Sequence, residues 1–219
     1  VNRNPIDPRF DWGPVVVDDR AMGDGQVTHW VENQLNTEVS GPRFTAVGIF
    51  RPHLPWYVPQ SYIDMHPLED IILPVVPEND LDDLPDLPLN SEVFERNAFL
   101  PPREIHQWAI DSNKWSEGVQ AYLASTSFAD AMVGRVIEAL DKSGRADNTI
   151  IILWSDHGWH LGEKHRWRKT TLWEESTRVP FIVVVPGVTT PGTRSVRTVS
   201  LIDIFPTVAE LVGLQPPNY

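Results

Sequence analysis

The stretch ILWSDHGWHLGEKHRWRK, residues 152–169, decides the reading of this chain. An apolar run stops at Asp156-His157-Gly158, and histidines, cations and tryptophans then crowd together. The run begins at Thr149, and TIIILW over 149–154 predicts a buried strand that is apolar on both faces, as in a parallel sheet. Upstream, residues 116–143 place Val119, Tyr122, Leu123, Phe128, Met132, Val133, Val136, Ile137 and Leu140 on or near one broad helical face, with Gly144 where a helix stop belongs. Downstream, VPFIVVV over 179–185 predicts another strand, ended by Pro186-Gly187. Residues 201–214 predict a closing helix with Pro206 in its first turns. Helix, strand, loop, strand, helix is an α/β pattern.

Further out, the signals weaken. Residues 1–14 carry three prolines and read as irregular. Val27, Trp30, Val31 and Leu35 recur at helical spacing, which predicts a helix from about Met22. FTAVGIF over 44–50, between Gly41-Pro42 and Arg51-Pro52, predicts a short buried strand. Residues 51–102 are Pro-rich and acidic, and they read as a long segment covering a pocket. The acidic run 80–86 lacks the alternating ligands and turn glycine of an EF-hand, so it reads as a solvated loop.

The 219 residues carry a net charge of −12 and 41% hydrophobic residues. They suit one domain with a real core. The acidic balance argues against nucleic acid or an anionic membrane as the main partner. No apolar run approaches the length of a membrane span, and none reads as a signal peptide. The absence of cysteine excludes disulfides, thiolate metal sites and cysteine nucleophiles within these residues. The opening VNRNPIDPR reads like the inside of a longer protein.

In open α/β sheets, ligands bind beyond the carboxyl ends of the strands. Asp156 stands there, and its carboxylate can offer oxygens to a hard divalent cation. His157 can ligate or donate. Gly158 permits a sharp turn or a close approach. Lys169, thirteen positions after Asp156, can return on a loop to face an anion. A cation site beside lysine suits stabilisation of a transferring sulfuryl or phosphoryl group. Asp-His-Gly is also an ordinary turn. His160 and His165 read first as loop residues, and Arg166 and Arg168 as partners of Glu163, Glu174 and Glu175. The tryptophans read as packing, with Trp159 placed to wall a pocket.

SDHGWHLGEKHRWRK, followed by TRVPFIVVVPG, resembles the second half of the sulfatase family, in its iduronate-2-sulfatase-like branch. FDWGP at 10–14, AVGIFRPHLPW at 46–56, YLASTSFADAMVGRV at 122–136 and LIDIFPTVAELVGL at 201–214 agree with it in order. The resemblance implies an alkaline-phosphatase-like α/β fold, with a large mixed sheet flanked by helices. It implies hydrolysis of a sulfate ester, on a sulfated small molecule or glycan, by calcium and a formylglycine. It makes Asp156 and His157 the calcium ligands from this half. It gives His53 contact with the sulfate or the leaving oxygen, as general acid, and gives Lys169 the sulfate. Arg51, Trp56, Trp159 and His160 become candidate substrate contacts. Family members of this kind are usually exported, to a periplasm, the extracellular space or a lysosome.

The family's Cys/Ser-x-Pro-x-Arg nucleophile motif is absent, as is the acidic pair that precedes it. Ser40-Gly41-Pro42-Arg43 has its arginine one position early. Asp18-Asp19 lies in a segment resembling the middle of the family. Residues 1–219 therefore read as the middle and C-terminal part of a catalytic domain, with the nucleophile on a missing N-terminal segment or chain and with strand edges left uncovered. Alone they should not turn over. Two further readings stay open: a phosphomonoesterase or phosphonate monoester hydrolase of the same superfamily, and a non-catalytic fragment binding an anion or a partner.

Overall fold

A computed structural model describes residues 4–82 and 104–215. In chain order the elements are β1 (Trp12–Val15), α1 (Gly23–Leu35), β2 (Trp56–Pro59), α2 (Gln60–Ile63), α3 (Glu104–Asp111), α4 (Trp115–Lys142), β3 (Ile151–Trp154), β4 (His160–Leu161), β5 (Trp167–Arg168), α5 (Glu174–Thr177), β6 (Phe181–Val184) and α6 (Ile204–Leu211). They fall into two compact units. One comprises residues up to Asn148 together with His157–Arg178, and the other Thr149–Asp156 with the residues from Val179 onward.

In the first unit, α4 follows the expected face. Val119, Ala121, Ala124, Phe128, Met132 and Leu140 are buried at helical spacing. Gly144 stops the helix at φ 70°, a left-handed conformation that glycine adopts without a steric penalty. The long helix packs against α1, whose buried stripe differs from the one expected. Asp24, Gly25, Thr28 and Val31 face inward, while Val27 and Trp30 face solvent. Spacing alone cannot choose between two overlapping stripes, and Gly25 lies tight against the turn that precedes the helix. A Cβ there would meet the Asp19 carbonyl oxygen at 1.6 Å.

β1 and β2 pair in parallel, Trp12 opposite Trp56, with α1 lying between them in the chain. The expectation of irregular chain over residues 1–14 is corrected by β1. Its Gly13-Pro14 pair reads as a breaker, yet proline is tolerated where a strand edge needs no donor. Residues 51–102 likewise hold β2 and α2, and their part from 83 onward lies outside the described residues. The run 44–50 forms no strand. Phe44 is 84% exposed, because an extended propensity without a pairing partner yields no sheet. Asp18 accepts the Ala21 N–H and Asp19 the Tyr62 hydroxyl, so this acidic pair is structural.

An aromatic core holds the unit together. Phe10, Trp12, Trp56 and Trp167 are buried, with ring centroids 4.9–6.2 Å apart in edge-on or tilted pairs. Beside it, on α3, His106 is buried edge-on to Trp115 at 4.8 Å, with His165 at 5.6 Å. Burial, aided by repulsion from His165, pushes the His106 pKa down to about 4. The unfolded chain then binds more protons than the folded one between that value and the ordinary histidine range. Stability is full above about pH 6.5 and falls as pH drops toward 4. Urea unfolding of the full-length protein is expected to lose roughly 2 kcal/mol between pH 7 and pH 5. His106→Gln should remove most of that dependence.

In the second unit, β3 and β6 pair antiparallel, Ile151 opposite Val184 and Trp154 opposite Phe181. The expectation of a fully buried, parallel-type strand over 149–154 is corrected here. Trp154 is 49% exposed, and Phe181, Ile182 and Val184 are exposed as well. A two-faced apolar pattern states that both faces want cover and says nothing of strand direction. Pro206 is the third residue of α6, where the missing N–H would have had no helical partner.

Candidate active site

Two short strands and one loop position the site within the first unit. Asp156 closes the β3 segment of the second unit and is exposed. The peptide bond joins it to His157, which opens the next segment of the first unit. β4 and β5 pair antiparallel, His160 opposite Arg168 and Leu161 opposite Trp167. This hairpin turns the chain back on itself and delivers Lys169 to His157, with Lys169 Nζ 2.6 Å from His157 Nε2. The hairpin loop passes through left-handed backbone at Lys164 and His165, φ 55° and 52°. Asp80 holds it there, accepting the Lys164 N–H at 2.7 Å and pairing with its ammonium at 3.2 Å.

His157 Nδ1 lies 2.7 Å from the Gly158 carbonyl oxygen. A carbonyl only accepts, so Nδ1 carries the hydrogen and Nε2 keeps the lone pair that faces Lys169. Gly158 N–H donates to the Ser176 carbonyl at 2.7 Å. A Cβ on Gly158 would sit 2.1 Å from the Glu175 carbonyl oxygen, so only glycine lets this turn seat against α5. Gly158→Ala is expected to destabilise the full-length protein by roughly 1–3 kcal/mol, read from its urea midpoint.

His53 lies on the loop before β2. Its Nδ1 is 2.7 Å from the Leu54 carbonyl oxygen, which again leaves Nε2 as the outward nitrogen. Trp159 joins this loop to the hairpin. Its ring centroid is 6.4 Å from His53, 6.3 Å from His157 and 6.2 Å from Tyr122, on which it stacks. Its indole nitrogen is buried without a hydrogen-bond partner among the described residues. His53, His157, Trp159 and Lys169 are thus brought together within the first unit.

Three other candidates are placed differently. His160 is 0% exposed, with Nε2 2.7 Å from Thr171 Oγ1 and Nδ1 3.2 Å from the Glu163 carbonyl oxygen. Burial lowers its pKa against the pull of Glu175 and Glu163. With both nitrogens engaged and no exposed surface, it braces the hairpin. Trp56 is also buried, and its indole N–H donates to the Pro52 carbonyl at 2.7 Å. It is core, because a large aromatic at a strand start fills the space between the sheet and α4. Arg51 donates to the Tyr57 carbonyl through Nε and Nη2, at 3.3 and 3.2 Å, and to the His53 carbonyl through Nη1 at 3.1 Å. It shapes the His53 loop; burial lowers its pKa, opposed by Asp24. Arg168 pairs with Asp7 and not with the nearby glutamates expected for it.

Among the described residues no group of three or more His, Asp or Glu side chains gathers as a metal shell. Asp156 is exposed, and the Nε2 lone pair of His157 is taken up by Lys169. A hard cation taking six or more oxygens needs further ligands from elsewhere.

The sulfatase family profile matches residues 6–214. The chain is 42% identical over 205 residues to a sulfatase of Formosa agariphila, covering 94% of this chain and 39% of that protein. It is 35% identical over 216 residues to human iduronate 2-sulfatase, covering 84% of this chain and 38% of the relative. Its fold superposes on the phosphonate monoester hydrolase of Silicibacter pomeroyi with a TM-score of 0.77 at 23% identity, over 94% of this chain and 41% of that one. The chain therefore spans about two fifths of the length of the curated relatives it matches. By these matches and by its alternation of helices with short strands, the chain belongs to the sulfatase family and has an alkaline-phosphatase-like α/β fold.

Proposed function

We propose that these residues form the anion-binding and leaving-group side of a sulfuric ester hydrolase acting on a sulfated sugar or related sulfate ester. The observation that carries the reading is the return of Lys169 to His157, with His53 across the Trp159 ring, in a chain of the sulfatase family.

In this reading Lys169 donates to a sulfate oxygen and steadies the charge that builds as the ester bond breaks. As a nucleophile oxygen supplied from outside these residues bonds to sulfur, the S–O bond to the leaving group breaks and its electron pair stays on the leaving oxygen. His53 gives that oxygen the proton from Nε2, and the neutral imidazole recovers a proton from solvent. The Leu54 carbonyl keeps the other nitrogen protonated throughout. Trp159 walls the space between the two histidines and limits water. Family membership implies a calcium ion that would neutralise sulfate charge; Asp156 would be one of its ligands, His157 would be one only where Lys169 releases Nε2, and further oxygens would come from outside these residues. The 219 residues hold neither cysteine nor a Ser-x-Pro-x-Arg motif, so a formylglycine nucleophile would come from another segment of the protein.

The test is steady-state hydrolysis by the full-length protein of para-nitrophenyl sulfate against para-nitrophenyl phosphate and a phenyl phosphonate ester. Preferred turnover of the sulfate supports the reading. Preferred turnover of phosphate or phosphonate moves the assignment to that branch, and turnover of none leaves a binding fragment.

A further inference from the structure

The carboxylate of Asp24 is used in an unexpected way. Asp24 is the second residue of α1, where an acid is ordinarily spent on the unpaired N–H groups of its own helix. Here it is 7% exposed and reaches across to a distant loop. Oδ1 accepts the Phe50 N–H at 2.8 Å and Oδ2 accepts the Arg51 N–H at 2.9 Å. One carboxylate thus fixes two consecutive peptide planes.

Those planes lead straight to His53. The Phe50 carbonyl accepts the His53 N–H at 3.0 Å, and the Phe50 ring lies against the imidazole, centroids 4.6 Å apart. Arg51 closes the other side through the His53 carbonyl. Asp24 also opposes the burial that weakens the Arg51 charge. Backbone, ring and guanidinium contacts to His53 all pass through the two residues that Asp24 holds. Loops rarely fix a side chain closely unless a buried group ties them to a rigid element, and here that element is α1.

We infer that Asp24 is a positioning residue for His53, holding the imidazole so that its outward nitrogen meets the leaving oxygen. This rests on the proposed role of His53 as proton donor. Asp24 touches neither substrate nor reacting atoms, so its loss should show only where the donated proton is needed.

The experiment uses full-length enzyme and a series of aryl sulfates from para-nitrophenyl, whose phenolate departs without a proton, to para-methoxyphenyl, whose phenolate needs one. Asp24→Asn is expected to lower kcat on the poor leaving group by roughly ten- to a hundredfold, a part of what general acid catalysis supplies. On para-nitrophenyl sulfate it should stay within about threefold of the parent, and KM should change little in both. Asp24→Glu should recover part of the loss. On a His53→Ala background, Asp24→Asn should add nothing further. Should Asp24→Asn fail to fold, Phe50→Ala removes the ring against His53 at a half-exposed position and is expected to show the same leaving-group selectivity, more weakly. An equal loss across the series, or no loss, overturns the inference while leaving the activity intact. A parent enzyme whose His53→Ala variant shows no leaving-group dependence overturns the role of His53 itself.

Discussion

Lys169→Ala in the full-length protein is expected to lower kcat/KM on para-nitrophenyl sulfate by about a hundredfold or more, the usual cost of deleting one preorganised donor to a developing anion. An ammonium offers three donors, and His157 Nε2 takes one of them at 2.6 Å. The remaining donors can serve a sulfate in the same place. The position depends on hairpin register, since Leu161 opposite Trp167 and His160 opposite Arg168 set where the following residue emerges. Lys169→Arg should recover only part of the rate, because a planar fork cannot occupy the place of a point charge without moving its neighbours. Lys169→Met keeps length and bulk without charge and should resemble alanine. The side chain is partly exposed and outside the aromatic core, so the thermal midpoint should hardly move. An unchanged rate in Lys169→Ala would sink the assignment.

The return of Lys169 was legible only in outline. An apolar run that stops at Asp156-His157-Gly158 announces a strand end, and a lysine thirteen positions on has enough chain to come back. The hairpin that does it was hidden, because two-residue strands are too short to show an alternation. The helix α4 was plain, being long and strongly periodic. The run 44–50 looked like a strand because its residues favour extended backbone, but pairing is decided by a partner elsewhere in the chain. Asp24 carried no signal, since an acid at a helix start is what any helix prefers. The burial of Trp56 and His160 was hidden for a related reason. Their residue types suit a binding site as well as a core, and only burial separates the two.

Burial makes Trp56→Ala a sharp test of whether this side chain is core or substrate contact. Trp56 lies among Phe10, Trp12, Tyr122, Trp159 and Trp167, with ring centroids 5.7–6.2 Å away. Replacement by alanine leaves a cavity between rigid rings that cannot close over it, and the full-length protein is expected to lose about 3–5 kcal/mol in urea unfolding. Trp56→Phe refills most of the volume but loses the indole N–H to the Pro52 carbonyl, at about 1 kcal/mol for one hydrogen bond. Pro52 precedes His53, so activity should follow stability in both variants through displacement of that loop. A substrate contact would behave in the opposite way: KM would rise while the urea midpoint stayed in place. That outcome would return Trp56 to the binding site and require the aromatic core to open toward the substrate. The expected outcome makes Trp56 the wedge on which the His53 loop rests, and it ties the geometry of the leaving-group side to the packing beneath it.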